Sequence, residues 1–459
     1  MYTKFLITSH WIAVLVFLTI LTFADSADPR LADGLKALSA DSIEKSAEAH
    51  EQIWNVHLQN TDIVQYHPEF HAQYSGPNSL SHESEIRDTI SLDVMAGARL
   101  WQDAEFHVDA LAWQGFGLSK ALGVAGFPNG EAFRLGTKEP NFNFSRVFIR
   151  QTIGLGGEQE TIEDDALHLA GRQDVRRVTL TLGKISAKDI FDNNTYANDP
   201  RTQFMNWSLM ANGAWDYPAD SLGFIPGFAA EFNQPDWTVR YGIFQVPKVS
   251  NGLGKDYNVL DAWSMVGELE RRWTVGEHPG AVRLLSYLER AHMGSFQEAL
   301  DNPTRPADIV ATRAYRCKYG FGLNVEQEVV KNVGMFSRLG WNDDETEPWA
   351  FTDVGWTASL GTSIKGESWG RSNDTVGVAG VLNGISGVHQ RFLAAGGTGI
   401  LVGDGALTYG LEEIIETYYD FQISKTVHCA LDFQYIQNPA FNQDRGPVPV
   451  VAARFHWEF

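Results

Sequence analysis

The chain ends on Val450-Val-Ala-Ala-Arg-Phe-His-Trp-Glu-Phe459, a stretch that alternates by twos. Val451, Ala453, Phe455, Trp457 and Phe459 form one apolar face. Ala452, Arg454, His456 and Glu458 form the other, which is mostly charged. Side chains of a strand point alternately to its two faces, so this segment suits a boundary between oil and water. A transmembrane β-barrel uses strands of this kind, with lipid outside and a polar lumen inside. The closing strand of a soluble sandwich or barrel also alternates, so this strand alone leaves both architectures open.

The amino terminus narrows the choice. Lys4 precedes an apolar run from Trp11 to Phe23 that only threonines interrupt, and small residues follow at Ala24 and Ser26. This pattern predicts a signal peptide over residues 1–24, with cleavage after Ala24 or Ser26. No later segment reaches the roughly 18 apolar residues that a spanning helix requires. An exported chain that crosses a membrane would therefore have to cross it with strands.

Residues 25–53 read as a short helical preface. Leu35 and Leu38, then Ile43 and Ala47, fall at helical spacing, and Ser39 or Asp41 is placed to cap the second piece. From about Trp54 the period changes to two, broken by clusters of Gly, Pro, Asn and Asp. Strands are expected to begin near Val56, Ser91, Phe106, Phe142, Val178, Phe224, Trp237, Ser264, Ala281, Tyr319, Val333, Ala350, Thr375, Tyr409, Cys429 and Val450. The count of roughly sixteen is even, as single-chain bacterial barrels require.

The alternation is clean in several of them. Leu92, Val94, Ala96, Ala98 and Leu100 oppose Ser91, Asp93, Gly97 and Arg99. Phe321, Leu323 and Val325 oppose Gly322, Asn324 and Glu326, and Leu431, Phe433 and Tyr435 oppose Asp432 and Gln434. A ring this wide cannot be filled by its own side chains, so the polar face belongs inside. The expected fold class is all-β: a transmembrane antiparallel barrel of about sixteen strands over residues 54–459, with a short N-terminal helix and loops folded into the lumen.

Composition excludes some functions. The net charge of −21 would repel nucleic acid. The two cysteines, Cys317 and Cys429, fall on strands that are not neighbours and are expected to be free. The sequence holds no H-E-x-x-H, no G-x-S-x-G and no phosphate-binding loop. Its thirteen histidines show no metal-ligand spacing, so no metal and no cofactor are expected. Gly154, Gly156 and Gly157, and likewise Gly403 and Gly405, read as turns.

Several longer segments carry a family resemblance. They are "YSGPNSL" (Tyr74–Leu80), "GFGLSKALGVAGFPNGEAFRLG" (Gly115–Gly136), "FIRQTIGLGGEQE" (Phe148–Glu160) and "LAGRQDVRRVTLTLGKISAKDIFDNNTYANDPRTQFMNWSLM" (Leu169–Met210). "YRCKYGFGLNVEQE" (Tyr315–Glu328), "WGRSNDTVGVAGVLNGIS" (Trp369–Ser386), "FLAAGGTGILVGDG" (Phe392–Gly405) and "NPAFNQDRGPV" (Asn438–Val448) follow in order. Together they resemble the carbohydrate-selective porins of the OprB type, from about Tyr74 to the carboxyl terminus. Residues 58–74 match less well. The resemblance implies a barrel in the outer membrane of a Gram-negative bacterium that passes glucose and related sugars into the periplasm by diffusion. A general pore, a pore for organic acids or cations, and a barrel enzyme are the alternatives. Small-molecule sugars and outer-membrane lipid are the expected partners, and the sequence leaves monomer and homotrimer open.

Read as chemistry, the segment Phe191–Arg201 is too polar and too rich in turn formers for a membrane strand. Asp192, Asn193, Asn194, Asp199 and Arg201 offer groups for sugar hydroxyls. Phe204, Trp207, Trp215 and Tyr217 follow, and flat rings can cover a sugar's C–H face. A loop so composed is expected to fold inward and narrow the lumen; the alternative is an extracellular loop with its aromatics on the rim. On the polar strand faces, Arg99, Asp109, Arg146, Arg150, Arg240, Glu268, Glu270 and Glu326 are candidates for the pore wall, together with Arg283, Arg338, Glu289 and Glu328. The bland reading makes them solvated lumen residues pairing across strands. Arg146 and Arg150 share a face by parity, and so do Phe144 and Phe148, which blurs the direction of that strand. Trp101, Trp113, Trp237, Trp263, Trp273, Trp341, Trp349, Trp356 and Trp457 are expected at the two lipid–water girdles.

Overall fold

The computed structural model describes residues 51–132, 136–302 and 305–459. The expected signal peptide, residues 1–24, and all but the last three residues of the expected helical preface, 25–53, lie outside the described residues. Eighteen strands follow in chain order. The first nine are β1 (Trp54–His67), β2 (Glu85–Trp101), β3 (Ala104–Gly115), β4 (Thr137–Gly154), β5 (Gln159–Ile162), β6 (Gly171–Asp174), β7 (Arg177–Ile185), β8 (Ile225–Asn233) and β9 (Trp237–Phe244). The rest are β10 (Trp263–Val275), β11 (His278–Met293), β12 (Ala314–Val330), β13 (Val333–Asn342), β14 (Trp356–Gly366), β15 (Arg371–Gly384), β16 (Glu412–Ser424), β17 (Val427–Gln437) and β18 (Val448–Glu458).

Sixteen of these close into one antiparallel barrel, in which β1 pairs with β18 from Gln59↔Glu458 to Tyr66↔Val451. Only β5 and β6 stand apart, as a separate hairpin, so β4 pairs directly with β7. Each of the sixteen expected starts falls within a different barrel strand or a few residues ahead of one. The offset is largest at Ser91, Phe142, Tyr319 and Ala350, because the turn residues that flag a strand's edge are not always the last ones in the ladder.

The wall is inverted relative to a soluble protein. Leu182, Leu284, Phe321, Leu360, Ile415 and Leu431 are exposed on the outside. Asp93, Glu268, Glu289, Lys318, Glu416 and Arg454, on the opposite parity, are buried. An apolar belt outside and polar groups inside is the arrangement of an outer-membrane barrel. Among the described residues no helix is long and apolar enough to cross a membrane. Cys317 and Cys429 are free, on β12 and β17.

Connections alternate in length around the ring. One end carries short turns, such as residues 276–277, 331–332 and 425–426, and the insertion 155–176 that holds the β5–β6 hairpin. The other end carries the long loops, including 68–84, 186–224, 245–262, 343–355 and 385–411. In outer-membrane barrels short turns face the periplasm and long loops the exterior. The glycine clusters are turns, with φ of 77° at Gly156, 109° at Gly157, 144° at Gly403 and 86° at Gly405.

Three details correct the sequence reading. Between Asp109↔Arg146 and Ala110↔Phe144 the register shifts by one, leaving Ser145 as the extra residue of a bulge. The bulge reverses parity, so Phe142 and Phe144 face out while Phe148 is buried with the arginines inside. Trp101 and Trp341 are exposed on the outer wall, as a girdle requires, but Trp113 and Trp349 are buried. Trp113 packs with Leu111, Leu222 and Phe224, and Trp349 Nε1 donates to the Pro247 carbonyl at 2.6 Å.

Candidate functional site

Residues 186–224, between β7 and β8, fold into the barrel and are buried almost throughout. Local chemistry starts the inward path. Ser186 and Asp189 form a reciprocal cap around the short 3₁₀ turn Ala187–Asp189. Asp192 then takes a left-handed conformation, φ 56°, which Asp tolerates better than bulkier residues. Asn194 Oδ1 accepts the Tyr196 and Ala197 N–H groups, and Asn206 caps the helical turn Trp207–Met210 through the Ser208 N–H.

A loop inside a barrel leaves its own N–H and C=O groups to be satisfied by the wall. The inward charges do this. Glu268 of β10 accepts the Asp192 N–H at 2.7 Å, and Glu326 of β12 accepts the Thr195 N–H at 2.7 Å. Glu416 of β16 accepts the N–H groups of Met205 and Asn206. Arg338 of β13 donates to the carbonyls of Asp192, Ala197 and Leu209 and to the Asp192 carboxylate. From the closing strand, Arg454 donates to the carbonyls of Pro200 and Gln203. The loop is thus tied to strands far apart on the ring.

Glycines on the inner face make room for it. A Cβ at Gly340 would stand 2.0 Å from Asn212 Oδ1, and one at Gly322 2.3 Å from Asn212 Nδ2. The repeated charge and glycine on the inner parity are therefore both packing devices for the loop. Its apolar side chains form a core within the lumen. Phe204 sits edge-on to Tyr418 at 4.9 Å, and Trp207 stacks on Phe127 at 5.5 Å with Tyr217 and Phe351 alongside.

Most of the candidate residues converge here. Arg146 bridges Asp109 at 2.7 Å and Asp189 at 2.8 Å. Arg201 reaches Asp93 at 2.8 Å and Glu131 at 3.0 Å. Arg240 joins Glu231, Glu268 and Glu270, and Arg283 continues the row to Glu270 and Glu326. Asn324 donates to the Asp192 carboxylate and the Asn193 carbonyl, and Asn194 donates to Asn324. Asp199 accepts the Arg201 N–H and shapes a turn. Three candidates lie elsewhere: Arg99 and Arg150 are at the short-turn end, both 3.8 Å from Glu105, and Glu328 is there too, 3.0 Å from His278. There Arg150 also donates to the Leu167 carbonyl of the β4–β7 insertion. Asp93, Glu131, Asp189, Asn206, Glu416 and Arg454 were not among the candidates. For Arg454 the alternation of the last strand was the available signal; for Asp189 and Glu131, in loops, none was.

Electrostatics follow from burial. Burial drives the Lys188 ammonium down to about 8, although Asp192 at 3.3 Å works the other way. Burial also opposes the Asp192 carboxylate, but Arg338, Lys188 and the Asn212 N–H outweigh it and hold the group at about 2. For Arg201 the loss of water disfavours the charge, and Asp93 and Glu131 overcome that loss and raise it well above its ordinary value. No cluster of metal-ligating side chains occurs among the described residues.

The loop separates two spaces. Toward the short turns lies a cavity of about 480 Å³ lined by Thr195, Tyr196, Gln203, Asp420, His428 and His456. Toward the long loops a narrow cleft is lined by Phe127, Trp207, Tyr217, Asn251 and Phe351. The arrangement is a barrel whose lumen is narrowed by one folded-in loop carrying rings and paired charges.

Comparisons with known proteins agree with that geometry. The family model described as carbohydrate-selective porin, OprB family, matches residues 78–459. OprB of Pseudomonas putida in its high-pH structure is 16% identical, with 89% of this chain and 94% of that chain covered and a TM-score of 0.67. The low-pH structure of the same protein is 13% identical over 89% and 93%, with a TM-score of 0.48. The outer membrane channel DcaP of Acinetobacter baumannii is 9% identical over 88% and 97%, with a TM-score of 0.49. No curated protein sequence matches the chain. With the family model spanning most of its length, the chain belongs to the OprB family of carbohydrate-selective porins, and it is a sugar porin of a Gram-negative outer membrane.

Proposed function

We propose that residues 186–224 and the inward charges that face them form the filter through which glucose and related sugars diffuse passively into the periplasm. The carrying observation is the row of mixed pairs, Asp109–Arg146–Asp189, Asp93–Arg201–Glu131 and Arg240–Glu268/Glu270–Arg283–Glu326, set against an inward loop. A hydroxyl both donates and accepts, so a neutral polyol can exchange water for such pairs step by step. Carboxylates outnumber guanidinium groups in the row, which disfavours organic acids. Glu268 and Asp192 are buried and serve to hold the loop. Arg146, Arg201, Arg240, Asp189 and Glu131 keep some exposure and are the groups that meet solute. Family and fold point to a channel rather than an enzyme. The outer apolar belt contacts the hydrocarbon of the membrane.

Liposomes carrying the protein test this reading. They should swell faster in glucose than in a bulkier disaccharide, and Arg201→Ala should reduce that difference. Equal exclusion of both sugars by the wild-type protein would remove the pore. A strong reversal potential for cations without block by glucose would replace the sugar filter with a cation filter.

A further inference from the structure

The β9–β10 loop, residues 245–262, has two halves: Ser250 and Asn251 hydrogen-bond the carbonyls of Pro348, Trp349 and Ala350 at the mouth of the lumen, while residues 256–261 turn to the wall. Asp256 accepts a hydrogen bond from Tyr315 Oη at 2.9 Å, and Asp261 pairs with Arg290 at 3.0 Å. Tyr315 and Arg290 lie on the outward parity of β12 and β11, the parity of Tyr319, Phe321, Leu284 and Leu288, which are exposed. Residues 256–261 are therefore strapped to the outside of the wall, directly beyond the apolar belt. The loop is also braced internally. The Lys248 N–H donates to the Gly254 carbonyl, the Asn258 N–H to Asp256 Oδ1, and the Asp261 and Ala262 N–H groups to the Asn258 carbonyl.

On this hydrogen-bonded frame stand three exposed apolar side chains. Tyr257 is 79% exposed, Val259 55% and Leu260 85%. Val259 also joins Leu182, Ile243 and Trp263 in an apolar groove on the outer wall, so the tip is continuous with the belt on the β7–β10 side. Lys248 is exposed on the same loop. Single exposed apolar residues are unremarkable, but a braced cluster contiguous with a membrane belt marks an interaction surface. Tyrosine suits the headgroup level, aliphatic side chains suit the acyl boundary, and a lysine suits phosphate. A second copy of the chain is the rival occupant. A specific protein interface needs about 800 Å² per partner, more than a tip of three side chains offers.

We propose that the β9–β10 loop is a rim anchor, which docks Tyr257, Val259 and Leu260 into the headgroup–acyl boundary of the outer leaflet. The inference rests on the belt facing lipid. The test uses the full-length protein in lipid vesicles, with Cys317→Ser and Cys429→Ser to remove the native thiols. Single spin labels go at Leu260→Cys, at Phe321→Cys in the belt and at Lys425→Cys in a short turn, with heat-modifiable gel migration as the check on folding. Power saturation compares dissolved oxygen, which partitions into lipid, with a water-soluble nickel chelate. The oxygen-to-nickel accessibility ratio at Leu260 should approach that at Phe321 and exceed that at Lys425 severalfold. A ratio at Leu260 equal to that at Lys425, with Phe321 reading lipid, overturns the anchor and leaves the belt. An aqueous reading at Phe321 as well removes both. Dipolar broadening at Leu260 that vanishes on dilution with unlabelled protein assigns the tip to a second copy and also overturns the proposal.

Discussion

Arg338 and Asp192 are 146 residues apart in the chain, and inside the barrel Arg338 Nε donates to Asp192 Oδ1 at 3.0 Å with both side chains buried. The same guanidinium holds three carbonyls of the loop, so one wall residue fixes a large part of the loop's inward position. Removing one partner of a buried pair leaves an uncompensated charge, at a cost of about 3–5 kcal/mol. Arg338→Met should therefore release residues 186–224 while the belt and the ladder keep the barrel closed. Single-channel recording should show larger, noisier conductance and less discrimination between glucose and a disaccharide. Unchanged conductance would mean that other tethers suffice.

Acid should loosen the same tether. The folded Asp192 carboxyl titrates at about 2, against an ordinary 3.8, so its contribution is fully present above the ordinary value and is lost as pH falls through the folded one. The difference corresponds to about 2 kcal/mol. Current noise should rise between about pH 4 and pH 2, and Asp192→Asn should show high noise already at neutral pH. A variant that titrates like the wild type would exclude Asp192 as the group responsible.

Trp207 stacks on Phe127 and meets the tilted rings of Tyr217 and Phe351, all at ring distances near 5.5 Å. Truncation of a buried tryptophan costs about 3–5 kcal/mol. Trp207→Ala should raise the rate at which a protease nicks residues 186–224 in the detergent-solubilised barrel. Trp207→Phe should restore most of the protection. Equal cleavage of wild type and alanine variant would place the stack outside the loop's stability.

Tyr196 borders the cavity on the short-turn side and lies against Gly334 of β13, where a Cβ would meet Tyr196 Cε1 at 2.0 Å. Gly334→Val should push the ring into the cavity and reduce glucose flux in vesicles several times over. The double variant Gly334→Val, Tyr196→Ala should recover it. Failure of the second change to recover flux would trace the loss to the wall instead of the ring.

The sequence by itself determined the wall. Alternation has a period of two whatever the neighbours do, so Leu431, Phe433 and Tyr435 against Asp432 and Gln434 could be assigned to faces without coordinates. The aromatic terminus and the even strand number likewise required no tertiary information. That Phe191–Arg201 is a loop was legible as composition, because that segment has nothing to offer a lipid-facing strand; whether it turned into the lumen or out to the exterior was left open. Tertiary structure alone decided which charges do what. Glu268 and Glu326 became acceptors for loop N–H groups, and Arg99 and Arg150 went to the other end with Glu105, because those pairings join residues far apart in sequence. The single inserted residue Ser145 reversed the parity of Phe144 and Phe148, since a bulge adds a residue to one strand only and leaves no periodic trace. The burial of Trp113 and Trp349 was hidden for a related reason: a tryptophan near a strand end looks the same in sequence whether its ring meets lipid or the underside of a folded loop.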